Sequence, residues 1–127
     1  MVLTKIETVK APAAIGPYSQ AIQAGDFLYC SGQVPLVPGT AELVSGGIEE
    51  QTKQSMENLQ QVLVAAKVDF NSVVKTTIYL TDLGNFSVVN EIYASYCGEV
   101  APARATVQVA ALPKCALVEI DAVAYLG

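Results

Sequence analysis

The chain is 127 residues long, with seven Lys and Arg against twelve Asp and Glu, a net charge of −5, and no histidine. A sequence pI of about 4.5 and the lack of any basic run repel a polyanion, so no nucleic-acid partner is expected; the missing histidines remove the commonest general base and metal ligand. At 52% hydrophobic and only 15% charged, the chain is apolar for one small domain spanning residues 1–127, which implies that another copy covers part of its surface.

Taken in chain order, the first ten residues carry Lys5, Glu7 and Lys10 and lack the apolar core of a signal peptide. No apolar stretch approaches membrane-spanning length, so a cytoplasmic protein with no membrane partner is expected. Ser19–Ala24 and Phe27–Ser31 are strand candidates around the turn signal Gly25-Asp26. Val34–Gly47 is broken by Pro35, Pro38-Gly39 and Ser45-Gly46-Gly47 and reads as a loop. Ile48–Val68 reads as a helix, because Met56, Leu59, Val62, Leu63 and Ala66 recur at three- and four-residue steps. Val73–Leu80 is a β-rich run, and Asn85 is placed to cap a second helix through Tyr96 with Phe86, Val89, Ile92, Tyr93 and Tyr96 as its apolar stripe. Arg104–Ala110 and Ala116–Tyr125 complete the strands, joined through Leu112-Pro113-Lys114. The order fits an α+β domain: one mixed sheet with both helices on one face.

Three cysteines, Cys30, Cys97 and Cys115, form neither a C-x-x-C pair nor an even set. Buried free thiols are the expectation, with no disulfide and no metal. The only arginine, Arg104, lies in the otherwise uncharged run P-A-R-A-T-V-Q-V. Its planar fork suits a carboxylate or phosphate held in two hydrogen bonds. Strand alternation puts Arg104, Thr106 and Gln108 on one face, and sets Glu119 and Asp121 opposite Val118, Ile120 and Ala122. If the two last strands paired as a hairpin, Arg104 and Glu119 would approach the same end of the sheet. Two readings stand from spacing alone: an ion pair on a solvated face, the commoner arrangement, or a site for a small anion and a water. Gly16-Pro17-Tyr18-Ser19 and Ser31-Gly32-Gln33 are either pocket walls or plain turns. Asn90 interrupts the second helix's apolar rhythm, as an exposed polar residue also would.

Several segments, in order along nearly the whole chain, resemble the Rid family of reactive-intermediate deaminases: A-P-A-A-I-G-P-Y-S-Q (Ala11–Gln20), C-S-G-Q-V-P (Cys30–Pro35), E-Q-T-K-Q-S-M-E-N-L (Glu50–Leu59), V-K-T-T-I-Y-L-T-D-L (Val74–Leu83), P-A-R-A-T-V-Q-V-A-A-L-P-K and V-E-I-D-A-V-A (Val118–Ala124). The likeness is greatest to the RidA branch, the 2-iminobutanoate/2-iminopropanoate deaminases. It implies a six-stranded mixed sheet with two helices, of the trimeric chorismate-mutase type, assembled as a homotrimer with clefts between subunits. By the same resemblance Arg104 binds the substrate carboxylate, Glu119 positions or activates water, and Tyr18, Ser31, Gly32 and Asn90 line the cleft. Thr106 stands where some relatives have cysteine, so a mechanism needing a thiol there does not apply, and its hydroxyl is expected to bind substrate by bonding ligand or water. The implied activity is cofactor-free hydrolysis of 2-aminoacrylate-type enamines, through their imines, to 2-oxo acids and ammonia. The rivals are a non-catalytic 2-oxo acid sensor, an endoribonuclease, a chorismate mutase and a holdase. Zero histidines and one arginine count against the second and third.

Overall fold

The structure is a computed structural model that describes residues 2–127; Met1, where the first stretch of the sequence reading begins, lies outside the described residues. Six strands form one sheet: β1 (Leu3–Ile6), β2 (Ala21–Ala24), β3 (Phe27–Gln33), β6 (Val73–Leu80), β7 (Ala103–Gln108) and β8 (Val118–Tyr125). Their spatial order is β1-β2-β3-β8-β6-β7. Only β6 and β7 run parallel; the other neighbours are antiparallel. Two helices, α1 (Ile48–Ala65) and α2 (Phe86–Tyr96), complete the α+β architecture.

The helices cover one face of the sheet. Along β8, Val118, Ile120, Ala122 and Ala124 are buried and alternate with Glu119, Asp121, Val123 and Tyr125 on the uncovered face. Leu28 of β3 and Ile78 and Leu80 of β6 meet Met56, Leu59, Val62 and Leu63 of α1 in one core cluster. Full burial of such side chains, worth about 1.5–3 kcal/mol each, is the main force holding helix to sheet.

Several boundaries differ from the sequence reading. β1 went unread, because Leu3–Ile6 sits at a sheet edge with mostly exposed side chains and shows no apolar alternation. Loop 34–47 holds a two-residue hairpin, β4 (Leu36–Val37) with β5 (Glu42–Leu43). Helix α1 stops short of Val68. Lys67 turns left-handed at φ 64°, and the amides of Lys67 and Val68 bond back to the carbonyls of Val64 and Leu63 at 2.9 and 3.0 Å. This pair of hydrogen bonds closes the last turn. Asn85 makes no side-chain cap; the Asp82 carboxylate instead accepts from the Gly84 amide at 2.8 Å and starts the turn before α2.

The largest difference concerns β7. It does not form a hairpin with β8, because β6 lies between them. The chain from β6 to β7 runs through α2, and a helical crossover delivers the second strand parallel to the first. β7 thus becomes an edge strand, and β8, with the more regular buried alternation, takes a central place.

Candidate active site

Register decides where the charged residues point. Arg104 pairs with Thr76, and Thr76 is buried under the helices, so Arg104 emerges on the helix-covered face at the β7 edge. There α2 supplies three partners. Asn90 Oδ1 accepts a hydrogen bond from Arg104 Nη1 at 2.7 Å. The rings of Phe86 and Tyr93 lie 5.5 and 5.2 Å from the guanidinium carbon, within cation–π range. Tyr93 is itself tied by its hydroxyl to Thr76 Oγ1 at 2.7 Å. Residues 86, 90 and 93 share one helix face through their four- and three-residue steps. The guanidinium is therefore oriented without being neutralised, since Arg104 makes no ion pair among the described residues. Thr106 lies on the same face two residues along; its Oγ1 is buried with no hydrogen-bond partner, a free hydroxyl beside the arginine.

Glu119 pairs with Tyr79 on the opposite, uncovered face. The ladder between β3 and β8 is irregular from Cys30 to Gln33, and this bulge turns Ser31 and Gly32 toward Glu119. A Cβ on Gly32 would collide with the Glu119 carboxylate, so the close approach requires glycine. Ser31 spends its hydroxyl on the Ser19 carbonyl at 2.6 Å, which fixes the segment carrying Tyr18. Tyr18, Ser31, Gly32 and Glu119 thus share a cavity of about 590 Å³, walled also by Val34, Leu36 and Lys114. Burial, and then the nearby Asp121 charge, raise the Glu119 carboxyl above its ordinary value of 4.5. Asp121 lies two residues along on the same face and accepts a bond from the Tyr79 hydroxyl at 3.1 Å.

The seven residues singled out from the sequence therefore fall into two half-sites, not one. Tyr18, Ser31, Gly32 and Glu119 converge on the uncovered face. Arg104, Asn90 and Thr106 converge on the other, and within one chain neither half reaches the other. The ion pair between Arg104 and Glu119 that spacing allowed is not formed. The sequence reading missed Phe86 and Tyr93 as walls of the arginine site, having placed both in the apolar stripe. Tyr93 is buried as that stripe requires, but Phe86 is 37% exposed. An asparagine flanked on one helix face by aromatics was the available signal. The three thiols are free, but only Cys30 is buried; Cys97 is half-buried against Tyr93 at the back of the arginine half-site, and Cys115, in a turn, is exposed, unlike the buried thiols expected. Cys30 is pushed up to about 12 by burial and then by Asp121, and burial raises Cys97 as well.

A single mixed sheet with two helices on one face, an oriented arginine and a half-buried glutamate define a small α+β protein with one fork of hydrogen-bond donors and one carboxylate at its candidate site. The family model described as Endoribonuclease L-PSP matches residues 8–126. The mouse protein named 2-iminobutanoate/2-iminopropanoate deaminase is 55% identical over 122 residues, 96% of this chain and 90% of its own. The conserved Rid-family protein YyfA of Yersinia pestis has a solved structure with a TM-score of 0.94 at 51% identity, covering 98% of this chain and 99% of that one. Escherichia coli TdcF, solved with bound serine, gives a TM-score of 0.89 at 38% identity over 96% of this chain and 98% of its own. The chain belongs to the Rid family.

Proposed function

We propose that this protein is an imine deaminase that hydrolyses 2-imino acids, formed from 2-aminoacrylate-type enamines, to 2-oxo acids and ammonia. The observation that carries the reading is the guanidinium of Arg104, fixed by Asn90, Phe86 and Tyr93 yet left with donors for an anion. A planar carboxylate takes two parallel hydrogen bonds from such a fork. The names of relatives at this level of identity support the chemistry.

Arg104 holds the substrate carboxylate, and the imine carbon faces a water at Glu119. The ionised Glu119 accepts a proton as the water oxygen bonds to that carbon and the C=N electron pair moves to nitrogen, and the protonated Glu119 then gives that proton to the nitrogen. The carbinolamine hydroxyl proton passes to the amino nitrogen as the C–N bond breaks, so that ammonia leaves, the 2-oxo acid remains and Glu119 is ionised again. The imine is reactive on its own, so orientation supplies most of what is needed. No cofactor enters these steps.

The two half-sites face opposite sides of the sheet, so one chain alone cannot bring Arg104 and Glu119 to one small molecule. We infer a homotrimer in which Arg104 of one copy completes the Glu119 cavity of the next. The uncovered face supports this, because it carries Phe27, Tyr29, Val107 and Tyr125, each at least 40% exposed. Apolar side chains gathered on one sheet face mark an interaction surface.

The test generates the imine with an amino-acid oxidase or a dehydratase and follows 2-oxo acid formation with and without the protein. Acceleration is expected; no acceleration with any imine, alongside calorimetric binding of a 2-oxo acid, would instead favour the non-catalytic sensor. The serine held by TdcF keeps that second reading specific.

A further inference from the structure

Two segments that wall the cavity at Glu119 are joined to the same helix. One is the main chain at Val34 and Leu36, ahead of and within the small β4–β5 hairpin. The other is the turn at Pro113–Cys115 and the residues leading from it into Glu119. Both are tied to α1, and both ties are buried side-chain amides. Asn58 Nδ2 donates to the carbonyls of Val34 and Leu36 at 3.2 and 2.9 Å. Gln51 Oε1 accepts from the Leu117 amide at 2.8 Å, two residues before Glu119. Asn58 is 1% exposed and Gln51 6%.

Their spacing is seven residues, two helical turns, so the two amides lie on one face of one rigid helix. Ser55 falls between them on the same stripe and is fully buried, but its hydroxyl finds no hydrogen-bond partner and holds no wall. Burying an amide against a core is costly unless its hydrogen bonds are made; the two amides make theirs to the cavity walls, whereas the adjoining Met56, Leu59 and Leu63 are apolar packing. A third amide steadies the first: Gln54 Nε2 donates to Asn58 Oδ1 at 2.8 Å. Each amide is a directional anchor with a fixed reach. Together they tie main-chain segments that are far apart in sequence to one helix.

We infer that Gln51 and Asn58 are positioning residues that fix the width of the Glu119 cavity, and that this width decides which imine side chains are admitted beside Ile15, Val34 and Leu36. The inference rests on the reading that the imine sits in this cavity. Neither amide touches substrate; each acts through the wall it holds. Removing one lets its wall drift outward, and bulkier side chains gain relative to small ones.

The experiment compares kcat/KM for imines generated from alanine and from leucine. Gln54→Ala is the mild variant, since it releases Asn58 without burying or removing a core group. Asn58→Leu and Gln51→Met are the strong ones. In each the leucine-to-alanine ratio is expected to rise, by roughly tenfold in Asn58→Leu, the lower end of what one methylene is worth in an apolar pocket. Met56→Ala, a core truncation on the same helix, should lower Tm while leaving the ratio alone. Ratios unchanged in Gln54→Ala and in whichever strong variant folds would overturn the inference, as would a Met56→Ala ratio that moves equally. Glu119→Gln separates the two ideas. Full turnover in that variant sinks the cavity reading itself, whereas lost turnover with unchanged ratios in the amide variants sinks only the positioning role.

Discussion

At Arg104 one hydrogen bond to Asn90 and two aromatic faces fix the fork without quenching its charge. Lysine in its place keeps the charge and loses the geometry. Arg104→Lys is expected to lose about 2–3 kcal/mol of carboxylate interaction, slowing kcat/KM by roughly 30- to 150-fold in the coupled assay. Near-normal kinetics would mean that the anion is gripped elsewhere. At Glu119 the folded carboxyl lies above its ordinary value, through burial first and Asp121 second. The protonated form is therefore favoured in the fold. Stability from this group is greatest at low pH and is lost as pH rises from the unfolded value to the folded one. Activity runs the other way, because the base must be ionised. The acid limb of the kcat/KM profile should lie above 4.5, and Asp121→Asn should move it down by removing the like charge. A limb that stays in place would show that Asp121 does not act on the base. The chemistry of these two residues was legible in the sequence, since a lone arginine in an uncharged strand announces a partner. Their surroundings were not, because Phe86 and Tyr93 meet Arg104 only across a β–α–β crossover.

At the scale of elements, the bulge in β3 matters most. A Cβ at Gly32 meets the far end of the flexible Glu119 side chain, not backbone. The carboxylate can swing aside, so Gly32→Ala should fold with little change in Tm yet misplace the base. A displacement near 1 Å costs up to roughly 100-fold in rate; full activity in a crystal or solution sample of this variant would contradict the close approach. Helix α1 ends on Lys67 in the left-handed region, a conformation that costs a non-glycine residue about 1 kcal/mol. Lys67→Gly is expected to raise Tm by a few degrees in a calorimetric scan, with unchanged turnover. The helices were readable because their apolar period is long and regular. β1 and the β4–β5 hairpin were not, because strands of four and two residues carry too few alternations, and their pairing comes from neighbours remote in sequence.

For the whole molecule, opposite-facing half-sites lead to a quantitative expectation. Light scattering should give about three times 13.4 kDa. Arg104→Ala and Glu119→Gln are each expected to be inactive alone. Unfolded together in equal amounts and refolded, they should recover about one quarter of wild-type activity, since half the copies offer the arginine and half of their neighbours offer the glutamate (½ × ½). No recovery from folded mixed assemblies would place both residues in one chain's site. The sequence by itself determined the helices, the main strands, the family and the residue types able to bind a carboxylate and handle a proton. These follow from local periodicity and side-chain chemistry, which neighbours along the chain express directly. Only the tertiary structure decided that β6 separates β7 from β8 and in which register the three pair, and therefore that Arg104 and Glu119 leave the sheet on opposite faces. Strand order is settled by which surfaces bury most apolar area and by how a helical crossover must return, and neither is written in the spacing of the residues it separates.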